Sequence, residues 1–582
     1  MIEATPTSHG NNPMRYGDFG TLAEALDYAA LGPTGINIYT GKGEVAEALP
    51  YASIREQAIA LARRMLGAGL KPGMRVGMIA ESDGDFIRAF FACQYAGLVP
   101  APMPLPVAFG GRGAYIEHVR RMIQSADASA MFTPAVVEEW IGEAAQGLGL
   151  KYCGTAGGMD NIAPFTGALP EQDAEGLSYL QFSSGSTRDP KGIAVTQRAF
   201  MANAHTSSLH GLRIEDNDRC VSWLPFYHDM GLVGFLLIPM VCQMTVDVLP
   251  TREFARRALL WLRLISRNRG TLSFSPSFGY ELCTRRSGTA AIDDLDLSCW
   301  RGAGIGGDMV RAPVLSRFVE QFSKVGFRRE AFVPSYGMAE ATLALSFTPT
   351  GDGFCTDEID SEAMEQRQRA EPAKADNTRT RTFVLCGEML PGHDLDVRDA
   401  NGASLGEREI GRIFVRGPSL MKGYYGAEEE TAAVLSTDGW LDTGDLGYRI
   451  ARQLVITGRA KDLMIVNGRN VWPQDLEWTA EAEIAGLRSG DVAVFSVDAD
   501  TDEQIVALVQ CRQRDEAARE TLRSDIAGLL RTRHGTEANV VLVPPHALPV
   551  TTSGKLSRSK AKTLYLAGSF SAEAAEAPAS AG

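Results

Sequence analysis

Residues 179–192 read Tyr-Leu-Gln-Phe-Ser-Ser-Gly-Ser-Thr-Arg-Asp-Pro-Lys-Gly. The apolar run 177–182 predicts a strand. It breaks into a loop holding four hydroxyls, two glycines, a proline and Lys191. Such a loop suits a polyphosphate. Glycines let backbone N–H groups turn inward as a nest, hydroxyls donate further hydrogen bonds, and a lysine supplies positive charge. It is not a Walker A loop, because Gly192 follows Lys191 where a Ser or Thr is required. A lone loop of this composition also fits an ordinary polar connection after a strand. Its meaning depends on the company it keeps.

The chain of 582 residues is long enough for more than one domain and a large buried core. Apolar residues make up 45% and charged residues 22%, the balance of a globular protein. A formal charge of −14 weighs against broad nucleic-acid binding, since nucleic acid wants a basic partner. The nine cysteines are scattered and never spaced as Cys-x-x-Cys, which fits a reducing compartment and not a disulfide framework or zinc site. The N-terminus carries neither a basic n-region nor an apolar h-region, and the most apolar segment, 233–241, is too short to span a bilayer. These features predict a cytoplasmic protein with no transmembrane segment.

Residues 1–20 read as a loosely held lead-in. From Ser53 to Leu66 the apolar residues fall on one helical face, with Ser53 and Glu56 at capping-box spacing. A strand follows at 75–79, a helix at 85–97 and a strand start at 98–100. This alternation predicts an α/β fold with parallel strands. Segments 272–277 and 302–308 read as strands running into loops. Residues 349–382 are charged with little apolar periodicity, and they predict an exposed insertion or mobile loop. Beyond Asp462 come a strand at 464–466, a helix at 473–483, strands at 492–497 and 505–510, and a helix at 517–533. The tail from 567 is rich in Ala, Glu and Ser and predicts disorder.

Several residues have two open readings. His228, in Trp223-Leu-Pro-Phe-Tyr-His-Asp-Met-Gly231, is a structural histidine among aromatics or a site residue. Segment 233–241 is core helix, core strand or the wall of an apolar pocket. Glu340 balances a helix dipole in a first turn, or helps to hold magnesium. Asp445, in a glycine-flanked stretch, accepts from a vicinal diol such as a ribose or closes an Asx-type turn.

Five stretches in order resemble the adenylate-forming superfamily: 183–192, 336–340, 439–445, 457–462 and 552–555. Within it the chain most resembles the fatty acyl-AMP ligases, through Trp223 to Gly231 and through 457–477, which contains Lys461-Asp-Leu-Met-Ile and Asn470-Val-Trp-Pro-Gln-Asp-Leu-Glu. Two departures stand out. Arg188 and Asp189 follow Thr187 where the superfamily has Gly next, and Gly306-Gly307-Asp308 replaces Gly-Ala-Glu.

The resemblance implies an α/β fold with a large multi-subdomain N-terminal adenylation domain, 1–460, carrying a family insertion near 349–382. A small mobile α+β domain, 461–566, and a disordered tail, 567–582, would follow. The cofactors would be ATP and Mg²⁺. The reaction would join a medium- or long-chain fatty acid to AMP, then pass the acyl group to the phosphopantetheine thiol of an acyl carrier protein. Ser183, Ser184, Gly185, Ser186, Thr187 and Lys191 would hold the β- and γ-phosphates, and Glu340 with Thr187 the magnesium. Gly306, Gly307 and Asp308, with Ser335, Tyr336, Gly337 and Met338, would frame the adenine. Asp445 and Arg459 would bind the ribose. Lys555 would bridge carboxylate and α-phosphate. His228 and Met230, with Trp223 and Gly231, would meet the acyl chain, and Lys461 would be the hinge. A carrier protein is acidic, so Arg512, Arg514, Arg519, Arg523, Arg531 and Arg533 are candidates to meet it. The rival readings are a long-chain acyl-CoA ligase and a non-catalytic adenylate-binding relative.

Overall fold

The computed structural model describes residues 2–106, 111–182, 190–288, 292–377, 379–466, 469–498, 503–551 and 555–570. Its largest sheet has fourteen strands among these residues. The middle of that sheet is parallel: Thr245–Val248, Arg219–Ser222, Leu272–Ser275, Gly302–Ile305 and Phe332–Gly337 lie side by side in that order. Their side chains are almost all buried, as expected where helices cover both faces. Beyond Phe332–Gly337 the sheet turns antiparallel, through Ala344–Phe347, Thr380–Met389, Gln453–Arg459 and Leu441–Ile450. A four-stranded parallel sheet, Val99–Met103, Arg75–Ile79, Ala128–Phe132 and Tyr152–Gly154, forms a separate layer. Helix, strand and crossover thus alternate as the apolar periodicity requires.

Most buried apolar residues from Met464 on build hydrophobic clusters of their own. Met464, Leu476, Val492, Val494, Ile526 and Leu530 meet in one. The helices Pro473–Glu483 and Glu516–His534 pack on the sheet of Val492–Asp498, Glu503–Gln510 and Ala538–Val543.

Three local expectations change. The helix over Tyr51–Gly67 starts two residues earlier, with Pro50 at its cap; Ser53 caps nothing and accepts from Gln57 Nε2 instead. The lead-in is pinned: Thr5 N donates to Asn37 Oδ1 at 2.8 Å, and Arg219 Nη1 donates to Thr5 O at 3.2 Å. Segment 349–382 contains the strand Thr356–Asp360, paired with Thr380–Met389, and the helix Ser361–Arg367. Its Ile359, Met364 and Ala370 are spent on a small core shared with Phe383, Tyr448 and Trp472, and its Phe354 packs into the main core against Phe332. Of the tail expected from 567 to 582, residues 571–582 lie outside the described residues.

The candidate active site

The cavity opens at the C-terminal edge of the parallel strands, where the chain leaves the sheet in loops, and extends along them. Its volume is about 870 Å³. One flank is polar, with Lys191, Asp308, Tyr336, Glu340, Asp445, Arg459 and Lys555. The other is apolar, with Phe235, Ile238, Met244, Phe274, Leu343 and Phe347. Both flanks open into one space.

Tyr336 closes a strand and Asp445 begins the irregular part of another. The Tyr336 hydroxyl donates to Asp445 Oδ2 at 2.7 Å, and Arg459 Nε lies 3.1 Å from Asp445 Oδ1. Burial raises the Asp445 carboxyl, and Arg459 draws it back down. The Asx-type turn expected in this stretch belongs to Asp442, whose Oδ1 accepts from Gly444 N at 2.9 Å. Asp445 is therefore available to the cavity.

Glu340 sits in a single 3₁₀ turn, Ala339–Ala341, so no helix dipole needs its charge. It lines the cavity, Tyr424 donates to its Oε1 at 3.0 Å, and burial raises its carboxyl. Lys191 lies 3.7 Å from Glu430 and stands over the Tyr424 ring. Ser183, Ser184, Gly185, Ser186 and Thr187 fall outside the described residues, as do Thr552, Ser553 and Gly554.

Gly306, Gly307 and Asp308 follow the strand Gly302–Ile305. Gly307 has φ +79, and a Cβ there would lie 2.9 Å from Met230 Cε and 4.0 Å from Lys555 Nζ. Asp308 lies 3.3 Å from the Ser277 hydroxyl. Ser335, Gly337 and Met338 also line the cavity, and Ser335 Oγ donates to Ile305 O. Lys555 thus projects into the polar flank. Burial pulls its ammonium down, against the pull of Asp308, Asp229 and Asp445.

His228 and Met230 line the cavity where the two flanks meet. His228 Nδ1 lies 2.6 Å from Asp229 Oδ1 and 3.3 Å from Met230 N, so neighbouring side chain and backbone together fix the ring, and Nε2 is the nitrogen these contacts leave unused. Trp223 and Gly231 back the wall without lining it. Trp223 stacks on Phe254 at 3.8 Å, and a Cβ on Gly231 would meet Pro225 O at 2.2 Å. Their motif is adjacent in sequence, but the turn after Ser222 sends only part of it inward.

Sequence reasoning passed over Asp229, Tyr424, Ser277 and Arg558. Only Asp229, beside a candidate histidine, carried a local signal. Arg558 begins the helix that follows Lys555. It donates to Asp462 Oδ2 at 3.0 Å and to both oxygens of Glu477 at 2.7 and 2.6 Å, fixing where residue 555 enters. Lys461 is exposed, at the cavity rim in the turn Ala460–Asp462. The arginines suggested for a carrier protein are largely engaged: Arg512 with Asp491, Arg519 with Glu516, Arg523 with Glu520 and Arg533 with Glu483.

The cavity thus joins a polar lining to an apolar one. Residues 36–425 match the AMP-binding enzyme family. The chain belongs to it. It is 54% identical to a Caulobacter vibrioides protein named "Putative acyl-CoA synthetase", over 98% of this chain and 99% of that one. It is 31% identical to the medium-chain-fatty-acid–[acyl-carrier-protein] ligase JamA of Moorena producens, over 95% and 96%. A solved structure from work on fatty acyl-adenylate ligases of E. coli and L. pneumophila superposes with TM-score 0.91 at 42% identity, covering 97% and 100%. This member is a ligase of the fatty acyl-AMP ligase group, with the mixed α/β fold expected. Among the described residues no helix is long and apolar enough to cross a membrane.

Proposed function

We propose that this AMP-binding enzyme uses ATP and Mg²⁺ to activate a medium- or long-chain fatty acid as its acyl-adenylate, and then transfers the acyl group to the phosphopantetheine thiol of an acyl carrier protein. The observation that carries the reading is Lys555, reaching a point between the Asp445–Tyr336 pair and the His228 junction with the apolar flank.

In the first step a carboxylate oxygen attacks the α-phosphorus, the bond to the bridging oxygen breaks, and pyrophosphate leaves. Positioning and charge neutralisation dominate such chemistry. Lys555 would offset charge on both the carboxylate and the α-phosphate. Asp445 would accept from the ribose hydroxyls, with Arg459 and Tyr336 holding its two oxygens in place. Gly306 to Asp308 and Ser335 to Met338 would frame the adenine.

A magnesium ion bound by one or two carboxylates and by nucleotide phosphates needs little from the protein. Glu340 fits: it is a carboxylate at the cavity wall, oriented by Tyr424, with no salt-bridge partner among the described residues. When bound, the ion would neutralise phosphate charge. Thr187 is the second candidate.

In the second step the thiol sulfur bonds to the acyl carbon and gives its proton to solvent, the carbon–oxygen bond to AMP breaks, and AMP leaves. The small domain, residues 461–566, would rotate about Lys461 to admit the thiol. CoA is the alternative thiol, favoured by the name of the Caulobacter relative. Mass spectrometry of products from ATP, Mg²⁺ and a fatty acid, with and without CoA or a phosphopantetheinylated carrier protein, separates the two. Acyl-AMP that persists with CoA and disappears with carrier protein supports the proposal. Acyl-CoA overturns its second half, and no adenylate with any acid overturns all of it.

A further inference from the structure

The apolar arm of the cavity runs lengthwise along the parallel sheet. Its lining includes His228 and Ser277, beyond the C-terminal ends of Arg219–Ser222 and Leu272–Ser275. It also includes Cys220, Met244 and Leu272, at or beside the N-terminal ends of these strands and of Thr245–Val248. Strands of this length, at roughly 3.3 Å per residue, give the arm a depth of about 10–13 Å.

At the far end stands the segment 211–214. Leu212 and Ile214 line the cavity, while Arg213 between them is exposed. A single layer of chain therefore separates the arm from solvent. The segment is not relaxed, because Arg213 has φ +48, a region that a residue with a side chain occupies only when its surroundings impose it.

The surroundings that impose it centre on Arg301. Its Nη1 donates to Leu212 O at 3.2 Å and its Nη2 to Arg213 O at 2.8 Å. Its Nε donates to Asp218 Oδ1 at 2.8 Å, and Nη2 also contacts Asp218 Oδ2. Asp218 is buried and is itself fixed by the Thr271 hydroxyl at 2.7 Å and by Glu215 N at 2.8 Å. A planar guanidinium anchored by one carboxylate and offering its remaining N–H groups to two successive carbonyls is a rigid clasp.

We propose that Arg301 is a positioning residue for substrate selection: by clasping residues 211–214 it fixes the floor of the acyl arm and sets the longest acyl chain that the site accepts. The inference rests on the fatty-acid reading above and names a determinant of chain length within it.

The test measures acyl-adenylate formation by the full chain with ATP and Mg²⁺ over straight-chain acids from octanoate to eicosanoate. Arg301→Ala, Leu212→Ala and Leu212→Trp are compared with the unaltered protein, each checked by circular dichroism and thermal melting. With Arg301→Ala and Leu212→Ala the optimum moves to longer acids. The ratio of kcat/KM for octadecanoate over that for dodecanoate rises about tenfold, the worth of roughly two further buried methylenes. Leu212→Trp moves the optimum to shorter acids. If Arg301→Ala does not fold, the two Leu212 variants decide. A merely structural Arg301 would lower the melting temperature and scale every acid down together. That result, or an optimum unmoved in both Leu212 variants, overturns the inference. Failure of the unaltered protein to adenylate any acid is a different outcome, and it removes the fatty-acid reading itself.

Discussion

Asp445 and Arg459 are register partners on antiparallel strands, with Arg459 Nε 3.1 Å from Asp445 Oδ1 and the Tyr336 hydroxyl 2.7 Å from Oδ2. Both carboxylate oxygens are therefore oriented before any nucleotide arrives. Asp445→Ala should raise the KM for ATP about 10- to 100-fold, the range expected for losing a hydrogen bond to a charged group. The far-ultraviolet circular dichroism should stay unchanged. Initial-rate kinetics over a range of ATP concentrations check this, and an unaltered KM refutes the ribose role.

Lys555 lines the cavity just before the helix Arg558–Leu566, whose first residue is held by Asp462 and Glu477. Lys555→Ala should lower the rate of adenylation by about 10²–10³, judged from the loss of one preorganised charge-stabilising donor, while ATP binding persists. Arg558→Ala should reproduce part of the loss without removing the lysine. Pyrophosphate release and calorimetric ATP titration distinguish the two. Normal turnover by Lys555→Ala would refute the assignment.

The short contact of 2.6 Å between His228 and Asp229 fixes the ring. Asp229→Asn keeps the shape but offers a different hydrogen-bond partner to Nδ1. It should lower kcat for acyl-adenylate formation roughly tenfold or more with little change in the KM for ATP. Steady-state kinetics check the split, and an effect confined to KM would argue against it.

Glu481 is buried beside Arg311 and Glu281, and burial pushes its carboxyl up from 4.5 to about 8. In the unfolded chain it ionises at the ordinary value. Between about 4.5 and about 8 the folded state therefore holds the extra proton. This group's contribution to stability then falls as pH rises through that window and levels off above it. Glu481→Gln should flatten the fall and make the protein more stable than the unaltered chain above pH 8. Thermal melts across the window check the sign.

Much was legible in the order of residues. Apolar periodicity placed a helix at 53–66, within the observed Tyr51–Gly67, a strand at Arg75–Ile79, and a strand running into a loop at 272–277, where Leu272–Ser275 is the strand, because a buried stripe or run is a local property of the chain. The glycine turn proposed to frame the adenine was legible for the same reason. Backbone turns at the ends of parallel strands demand glycines and small polar residues in short order, and Gly306 to Asp308, after Gly302–Ile305, is such a turn. Sequence also carried the family, through five motifs in their order.

Tertiary structure alone decided which members of a motif face the cavity. Trp223 and His228 are five positions apart, yet only His228 lines the site, since Trp223 is taken by its stack on Phe254. It decided that the charged stretch 349–382 spends Ile359, Met364 and Ala370 on a shared core. It decided that most of the arginines near the C-terminus are already paired with carboxylates. It also joined Arg301 to Leu212 and Arg558 to Glu477, 89 and 81 positions apart. Side-chain periodicity reports which way a residue faces within its own element. Which charges meet across elements depends on how the layers stack, and that information is not local.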